Sequence, residues 1–355
     1  MKIKSNISLV LLSIVFSLII IEIFFSVLKS KENKKIIYSN PYNRYILYKE
    51  GETFSNQENF FKYKENKTLY TKVVYNIDDN WVEEYKYEFN SNNFGLIQNN
   101  DIYPNKDSLL FLGDSFVEGQ GSKPWIDNFG GEYLNFQVIN GGIMGTGPQQ
   151  FEILENHISN NFDISKVLFF YIGDDYRRNP FLITENSLKC LNDYTSCTGK
   201  ENFYSYPQSS KGEEKFLNFL QKKRLSYKRP SSKDKLKKYF KNLYIIKIPN
   251  NFIKQRFYNS DNEYIVKNLK STQNLYDKYL ENILFIQLKT KSEIVYGKSY
   301  EAYFAEKYIK TFTNNHYVCD FENNINYFHN FDMHPNEKGY EYLFDCVNKI
   351  LKENL

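Results

Sequence analysis

The chain has 355 residues, of which 41% are hydrophobic and 18% aromatic, and its formal net charge is +4. This composition excludes a chain too polar to bury a core, and the length allows one large domain or two small ones. No H-E-x-x-H pair and no clustered Cys/His spacing is present, so the sequence predicts no metal and no other cofactor.

The N-terminus carries an apolar segment over residues 7–28, interrupted by serines and by Glu22. As a helix it would reach about 33 Å, enough to cross a bilayer core of about 30 Å. No A-x-A cleavage site follows it. We therefore expect a single-pass anchor and tether over residues 1–35, with Glu22 reaching toward the interface.

The sequence gives two opposing indications of the side of the membrane on which the main domain lies. Lysines follow the span as well as precede it, but a very short basic N-terminus usually stays in the cytoplasm. Four cysteines lie after the span, and an even number permits disulfides in an oxidising compartment. We expect the pairs Cys190–Cys197 and Cys319–Cys346 and a domain facing the periplasm or the cell exterior; four free thiols are the alternative.

Residues 36–106 are predicted to form a β extension before the main domain. Two segments, 71–75 and 81–89, alternate apolar and polar residues, which is typical of antiparallel strands with one polar face.

The main domain, residues 107–355, begins with the apolar run 108–112, which predicts a buried parallel strand that ends at Gly113-Asp114-Ser115. Further strands are expected at 137–139 and 166–172, with a helix opening at Pro148 between them. This alternation predicts an α/β domain with a parallel sheet and helices on both faces. Without other support, Asp114 and Ser115 could simply cap a helix.

The pattern is interrupted over about 181–270, where we expect a helical insert. From Lys211 to Lys241 there are 12 basic and 3 acidic residues, a net charge of +9. Such a stretch is usually a solvated surface; the functional alternative is contact with an anionic glycan or lipid head groups. Nucleic acid is not expected for an exported domain.

The core pattern resumes with a helix over 275–288, a strand over 293–296, a helix over 300–312 and a strand over 316–321. The last helix, from Pro335 to about Lys352, has one apolar stripe that should pack on the sheet. The residues of this stripe are Tyr340, Leu343, Phe344, Val347, Ile350 and Leu351.

A serine becomes a nucleophile only when a base takes its proton. His334, just before the last helix, is the candidate base for Ser115, and Asp332 is the candidate group that orients it. Of the other histidines, His157 and His316 lie in predicted helix and strand and are interpreted as structural, whereas His329 is a weaker alternative base.

The developing oxyanion needs hydrogen-bond donors. The backbone N–H groups of Ser115 and of Gly142, in the glycine-rich segment after the second strand, are candidates, and the end of the third strand should supply another.

Four blocks at these strand ends and before the last helix resemble, in this order, the sequence blocks of the SGNH (GDSL) hydrolase family. Residues 90–95 resemble the approach segment of its membrane-anchored bacterial members. The blocks are Gly113-Asp114-Ser115, Asn140-x-Gly142-x-x-Gly145, Gly173-Asp174-Asp175 and Asp332-x-His334-Pro335-Asn336-x-x-Gly339.

The resemblance implies a flavodoxin-like three-layer α/β/α fold and serine esterase or acyl-transfer chemistry. It implies that Ser115 is the nucleophile, His334 the base and Asp332 its partner, with Ser115 and Gly142 as oxyanion donors. The family's third block usually carries an asparagine whose amide donates to the oxyanion, and here Asp174 stands there. Asp174 could serve if burial protonated it, or the donor could come from Arg177, Arg178 or Asn179.

We therefore expect a membrane-anchored esterase that acts on an acylated carbohydrate or small ester. An O-acyltransferase on cell-surface polysaccharide would share every residue named. A catalytically weak glycan-binding module on the same fold is the remaining alternative, and Asp174 is the feature that favours it.

Overall fold

The computed structural model of the protein describes residues 13, 15–24, 44–49, 51, 53–77, 79–201, 205–208, 212–227 and 263–355. Among these residues no helix is long and apolar enough to cross a membrane. The predicted span over residues 7–28 lies partly outside the described residues.

An N-terminal sheet precedes the core in the chain. The two long strands, β4 (Lys67–Ile77) and β5 (Asn80–Ser91), pair antiparallel, as the alternating pattern predicts. Strand β1 (Arg44–Tyr48) lies between β4 and the short β9 (Ser205–Pro207). A separate hairpin joins β2 and β3. The strands are β1 (Arg44–Tyr48), β2 (Phe54–Asn56), β3 (Phe61–Tyr63), β4 (Lys67–Ile77), β5 (Asn80–Ser91) and β9 (Ser205–Pro207).

The core is a sheet of five strands, all parallel to their neighbours, in the order β7-β6-β8-β10-β11. The prediction of an α/β domain with a parallel sheet is confirmed. Its strands are β6 (Ser108–Gly113), β7 (Gln137–Gly142), β8 (Ile164–Tyr171), β10 (Ile283–Leu288) and β11 (His316–Cys319).

Helices cover both faces of this sheet, which is why its strands are continuously apolar. On β6, Leu110 and Leu112 face the apolar residues of α3 (Pro148–Ser159). Leu109 and Phe111 face the last helix, α9 (Glu337–Asn354). The helices are α1 (Ser115–Glu118), α2 (Phe129–Glu132), α3 (Pro148–Ser159), α4 (Glu185–Asn192), α5 (Glu213–Tyr227), α6 (Glu263–Tyr279), α7 (Lys291–Tyr296), α8 (Tyr300–Ile309) and α9 (Glu337–Asn354).

The N-terminal sheet and the core sheet share one apolar cluster. Val73, Tyr75 and Phe89 of the N-terminal sheet belong to the same buried cluster as Leu112 and Phe169 of the core. The β extension therefore packs directly beside the carboxyl ends of the core strands, and its polar side chains can reach the site.

Two predicted elements are wrong. The helix expected over 275–288 ends at Tyr279, and its second half is β10, because Leu280 adopts a left-handed φ of 50° that breaks the helix. The strand expected over 293–296 is helix α7, which begins at a capping box formed by Thr290 and Glu293.

Both predicted cysteine pairs are present as disulfides, Cys190–Cys197 and Cys319–Cys346. The second ties β11 to α9 and so crosses between the sheet and the helix that covers it. Among the described residues, the one cluster with metal-ligand spacing is Cys190, Cys197 and Glu201, and its two sulfurs are bonded to each other.

The insert over 181–270 contributes α4, β9, α5 and the first turns of α6. Residues 228–262 lie outside the described residues, and with them much of the basic stretch from Lys211 to Lys241.

Candidate active site

Ser115 lies at the carboxyl end of β6, which is between β7 and β8 in the core sheet. The strand ends at Gly113, and Asp114 caps the following helix by accepting a hydrogen bond from Phe116 N (3.0 Å). A Cβ on Gly113 would lie 2.3 Å from Cγ2 of Val117, so the absence of a side chain permits close packing of the strand end against the serine helix. Asp114 thus caps the helix, as one of the two sequence interpretations predicts, and the same cap fixes the position of Ser115, the first residue of that helix.

The structure brings Ser115, His334 and Asp332 into one hydrogen-bonded chain. His334 Nε2 lies 2.8 Å from Ser115 Oγ, and His334 Nδ1 lies 2.5 Å from Asp332 Oδ1. With Asp332 accepting from Nδ1, the imidazole presents its other nitrogen to the hydroxyl as an acceptor. This is the geometry that a base requires to take the serine proton.

Asp332 is buried, with 2% of its surface exposed. Its second oxygen, Oδ2, accepts from Arg44 Nε (2.8 Å) and from Tyr85 Oη (3.1 Å), both on the N-terminal sheet. Burial alone would raise the pKa of Asp332, but Arg44 and His334 outweigh it and hold that pKa well below its usual range. The carboxylate is therefore ionised at neutral pH.

The loop that carries Asp332 and His334 is held by a buried cation. Lys291, at the start of α7, donates from Nζ to the carbonyl oxygens of His329 (2.6 Å) and Asn330 (2.9 Å). On the other side, Glu84 of β5 accepts from the backbone N–H of Phe331 (3.0 Å). Two elements distant in sequence thus fix the position of this loop.

The other histidines have structural partners. His329 Nε2 lies 2.6 Å from the carbonyl oxygen of Gly121, and burial lowers the pKa of this imidazole. His316 Nε2 lies 2.7 Å from Tyr171 Oη, and burial lowers its pKa to about 4. His157, on α3, packs against the aromatic rings of Phe60 and Phe94. None of the three is hydrogen-bonded to Ser115.

Gly142 does not present its N–H to the site. It is the last residue of β7, and its N–H donates to the Asn140 side chain (3.0 Å). A Cβ at Gly142 would lie 2.1 Å from the backbone nitrogen of Glu118, so this glycine permits close packing of β7 against α1.

Gly145 is the better-placed donor. It lines the cavity beside Ser115, with a left-handed φ of 74° that suits glycine. Among the described residues, the N–H groups of Ser115 and Gly145 have no hydrogen-bond partner. These two backbone groups can therefore donate to an oxyanion.

Asp174 lines the same cavity, but it is not buried. Half of its side chain is exposed, and Oδ1 lies 2.8 Å from Nη2 of Arg177. Asp174 therefore lacks the burial that the first of the predicted alternatives requires. The guanidinium of Arg177, partly neutralised by Asp174, lies at this position and also lines the cavity. Arg178 instead donates from Nη1 to Asp114 Oδ2 (3.0 Å) and to the carbonyl oxygen of Thr146 (2.6 Å). Asn179 is exposed and does not line the cavity.

The cavity at Ser115 has a volume of about 550 Å³, enough for a sugar-sized group. Its far wall comes from α7, α8 and the turn between them, and it is mostly polar. The residues of this wall are Thr290, Ser292, Glu293, Tyr296, Ser299, Tyr300 and Glu301.

The groups of this site that were not predicted include Arg44, Tyr85 and Gly145. Arg44 and Tyr85 are far in sequence from Asp332, and no local pattern connects them with it. Gly145 could have been found, because it lies in the same glycine-rich block as Gly142.

Comparison of the chain with protein-family models and with curated proteins found no match to either. The family resemblance therefore rests on the four sequence blocks and on the segment 90–95, and the function has to be argued from the site.

Proposed function

We propose that the protein is a serine esterase of the SGNH type that hydrolyses O-acyl esters. The observation that carries the proposal is the chain Ser115–His334–Asp332, with hydrogen bonds of 2.8 and 2.5 Å, of which Ser115 and His334 line the cavity. The order of the core strands, with the first strand between the second and the third, is also that of flavodoxin-like folds, as the family requires.

In this proposal Ser115 Oγ attacks the ester carbonyl and His334 takes the hydroxyl proton. The oxyanion accepts from the N–H groups of Ser115 and Gly145. The imidazolium, stabilised by Asp332, then gives its proton to the leaving alkoxide, and an acyl-enzyme remains on Ser115. Water, activated by His334, releases the carboxylic acid and restores the serine.

An acylated carbohydrate outside the cytoplasm is the substrate that we propose. The polar cavity wall suits a hydroxyl-rich leaving group, and two disulfides suit an oxidising compartment. In an acyltransferase the same acyl-enzyme would react with a sugar hydroxyl instead of water.

The test is the hydrolysis of p-nitrophenyl acetate and of acetylated oligosaccharides, with Ser115→Ala as the control. Release of acetate by the wild type and none by the variant supports the esterase. Transfer of acetyl to an added oligosaccharide would identify a transferase.

A second candidate is a glycan-binding module without turnover, favoured by the exposed carboxylate of Asp174 where the family has an amide donor. Binding of acetylated oligosaccharide by calorimetry, with no acetate released and no acyl-enzyme formed, would support this alternative and exclude the esterase.

A further inference from the structure

The N-terminal sheet reaches into the triad through the side of Asp332 that faces away from His334. Arg44 is the first residue of β1, and its Nε lies 2.8 Å from Asp332 Oδ2, while Tyr85 Oη lies 3.1 Å from the same oxygen. Arg44 also donates from Nη2 to Tyr85 Oη (3.3 Å). Both oxygens of the carboxylate therefore have partners, and one partner is a permanent cation.

A carboxylate bound only to an imidazole stabilises the imidazolium with its full charge, which favours a protonated and inactive base. A guanidinium on the far oxygen offsets part of that charge, and it disfavours a second positive charge on the nearby ring. We propose that Arg44 is a positioning residue that fixes the Asp332 carboxylate and offsets part of its charge, so that Asp332 stabilises the imidazolium form of His334 less than a carboxylate without a cationic partner would. This inference rests on the proposed function.

The surroundings of Asp332 agree with a strong contribution from Arg44. Burial would raise the pKa of Asp332, yet Arg44 and His334 together hold it well below its usual range. Arg44 contributes a full charge at hydrogen-bond distance, whereas the tyrosines are neutral. The other titratable groups that interact with this pair include Tyr48, Tyr75, Tyr85, Tyr87, Tyr340, Glu84, His329 and Lys291.

The experiment compares two substitutions at one position. Arg44→Gln keeps a polar side chain and removes the charge, and Arg44→Lys keeps the charge. Tyr85→Phe is the matched control, because it removes a neutral hydrogen bond from the same oxygen. For each full-length protein, the titration of His334 is followed by NMR of labelled imidazoles, assigned with His334→Gln, and the rate of inactivation by a fluorophosphonate is measured from pH 4 to 9.

We expect Arg44→Gln to move the His334 titration and the acid limb of inactivation to higher pH by about one pH unit, as loss of a neighbouring charge does. Arg44→Lys and Tyr85→Phe should leave both near the wild-type position. An unchanged titration in a folded Arg44→Gln protein, or an equal shift in Tyr85→Phe, would overturn the inference. If Arg44→Gln does not fold, Arg44→Met provides the neutral variant.

The two readouts separate this inference from the proposed function. A wild type that never reacts with the fluorophosphonate contradicts the esterase, while the NMR titration still reports whether Arg44 controls the protonation of His334.

Discussion

Glu118 is a buried carboxyl at the end of the serine helix, and it should make the fold less stable as the pH rises. Only 3% of it is exposed. Oε1 accepts from Tyr63 Oη (3.0 Å) and Oε2 accepts from the backbone N–H of Met144 (2.6 Å). Burial, together with the charge of Asp114, outweighs these bonds and raises the pKa of Glu118 from 4.5 to about 8.

The size of the effect follows from linkage between protonation and folding. A carboxyl whose pKa is raised on folding binds its proton more tightly in the folded state. Its contribution is therefore fully present below pH 4.5 and is lost as the pH rises to about 8. At about 1.4 kcal/mol per pH unit, the loss reaches about 5 kcal/mol as an upper bound. That is a large part of the stability of an ordinary domain.

The assay is urea unfolding at pH 5, 7 and 9 of the wild type and of Glu118→Gln. Glutamine has no charge to bury, and its amide can accept from Met144 N and donate to Tyr63 Oη. The difference between the two proteins isolates Glu118 from every other titrating group. We expect a small difference at pH 5 and a variant more stable than the wild type by about 3 to 5 kcal/mol at pH 9.

A difference that does not change between pH 5 and pH 9 would refute the reasoning, since Glu118 would then titrate alike in the folded and unfolded chains. A variant that becomes less stable relative to the wild type at high pH would show that the ionised carboxylate is stabilised by its two donors.

Three further predictions concern the site. Asp332→Asn should lower kcat for p-nitrophenyl acetate by about 10⁴-fold with little change in KM, because the imidazole loses its orienting acceptor; a loss below about tenfold would contradict this role. Asp174→Asn should raise kcat by about 10- to 100-fold, because an amide donor replaces a carboxylate near the oxyanion; a kcat that is unchanged or lower in steady-state kinetics would contradict this. Gly142→Ala should cost about 1 to 3 kcal/mol of stability, because its Cβ meets the backbone of Glu118; an unchanged Tm would contradict the close packing.

Local patterns were sufficient for the elements that the sequence specifies by continuous apolar runs or helical stripes. The run before Gly113 is β6, and the stripe that includes Leu343 and Val347 does pack on the sheet. The β10 strand was missed because Leu280 ends α6 with a left-handed φ, at a residue type that gives no turn signal. The capping box formed by Thr290 and Glu293 can be recognised in the sequence, but the apolar pair 294–295 after it favoured the prediction of a strand.

The candidate site was predictable where its residues follow strand ends and less so where contacts cross the fold. Ser115, His334 and Asp332 meet because a parallel sheet brings strand ends and the last loop to one edge. Gly142 and Gly145 lie three positions apart in one block, and the sequence does not reveal that the Gly142 N–H donates to Asn140 whereas, within the described part of the chain, the Gly145 N–H has no such bond. Arg44 lies 288 residues from Asp332, so the pairing depends on how the N-terminal sheet packs and not on any local motif.

The most direct test of the central claim is the reaction of the full-length protein with a fluorophosphonate, followed by intact-mass and peptide mass spectrometry. The account predicts one adduct per chain, on Ser115, no adduct in Ser115→Ala, and a reaction at least about 10³-fold slower in His334→Ala. A folded wild type that remains unmodified, or an adduct that persists in Ser115→Ala, would contradict a nucleophilic serine at this site.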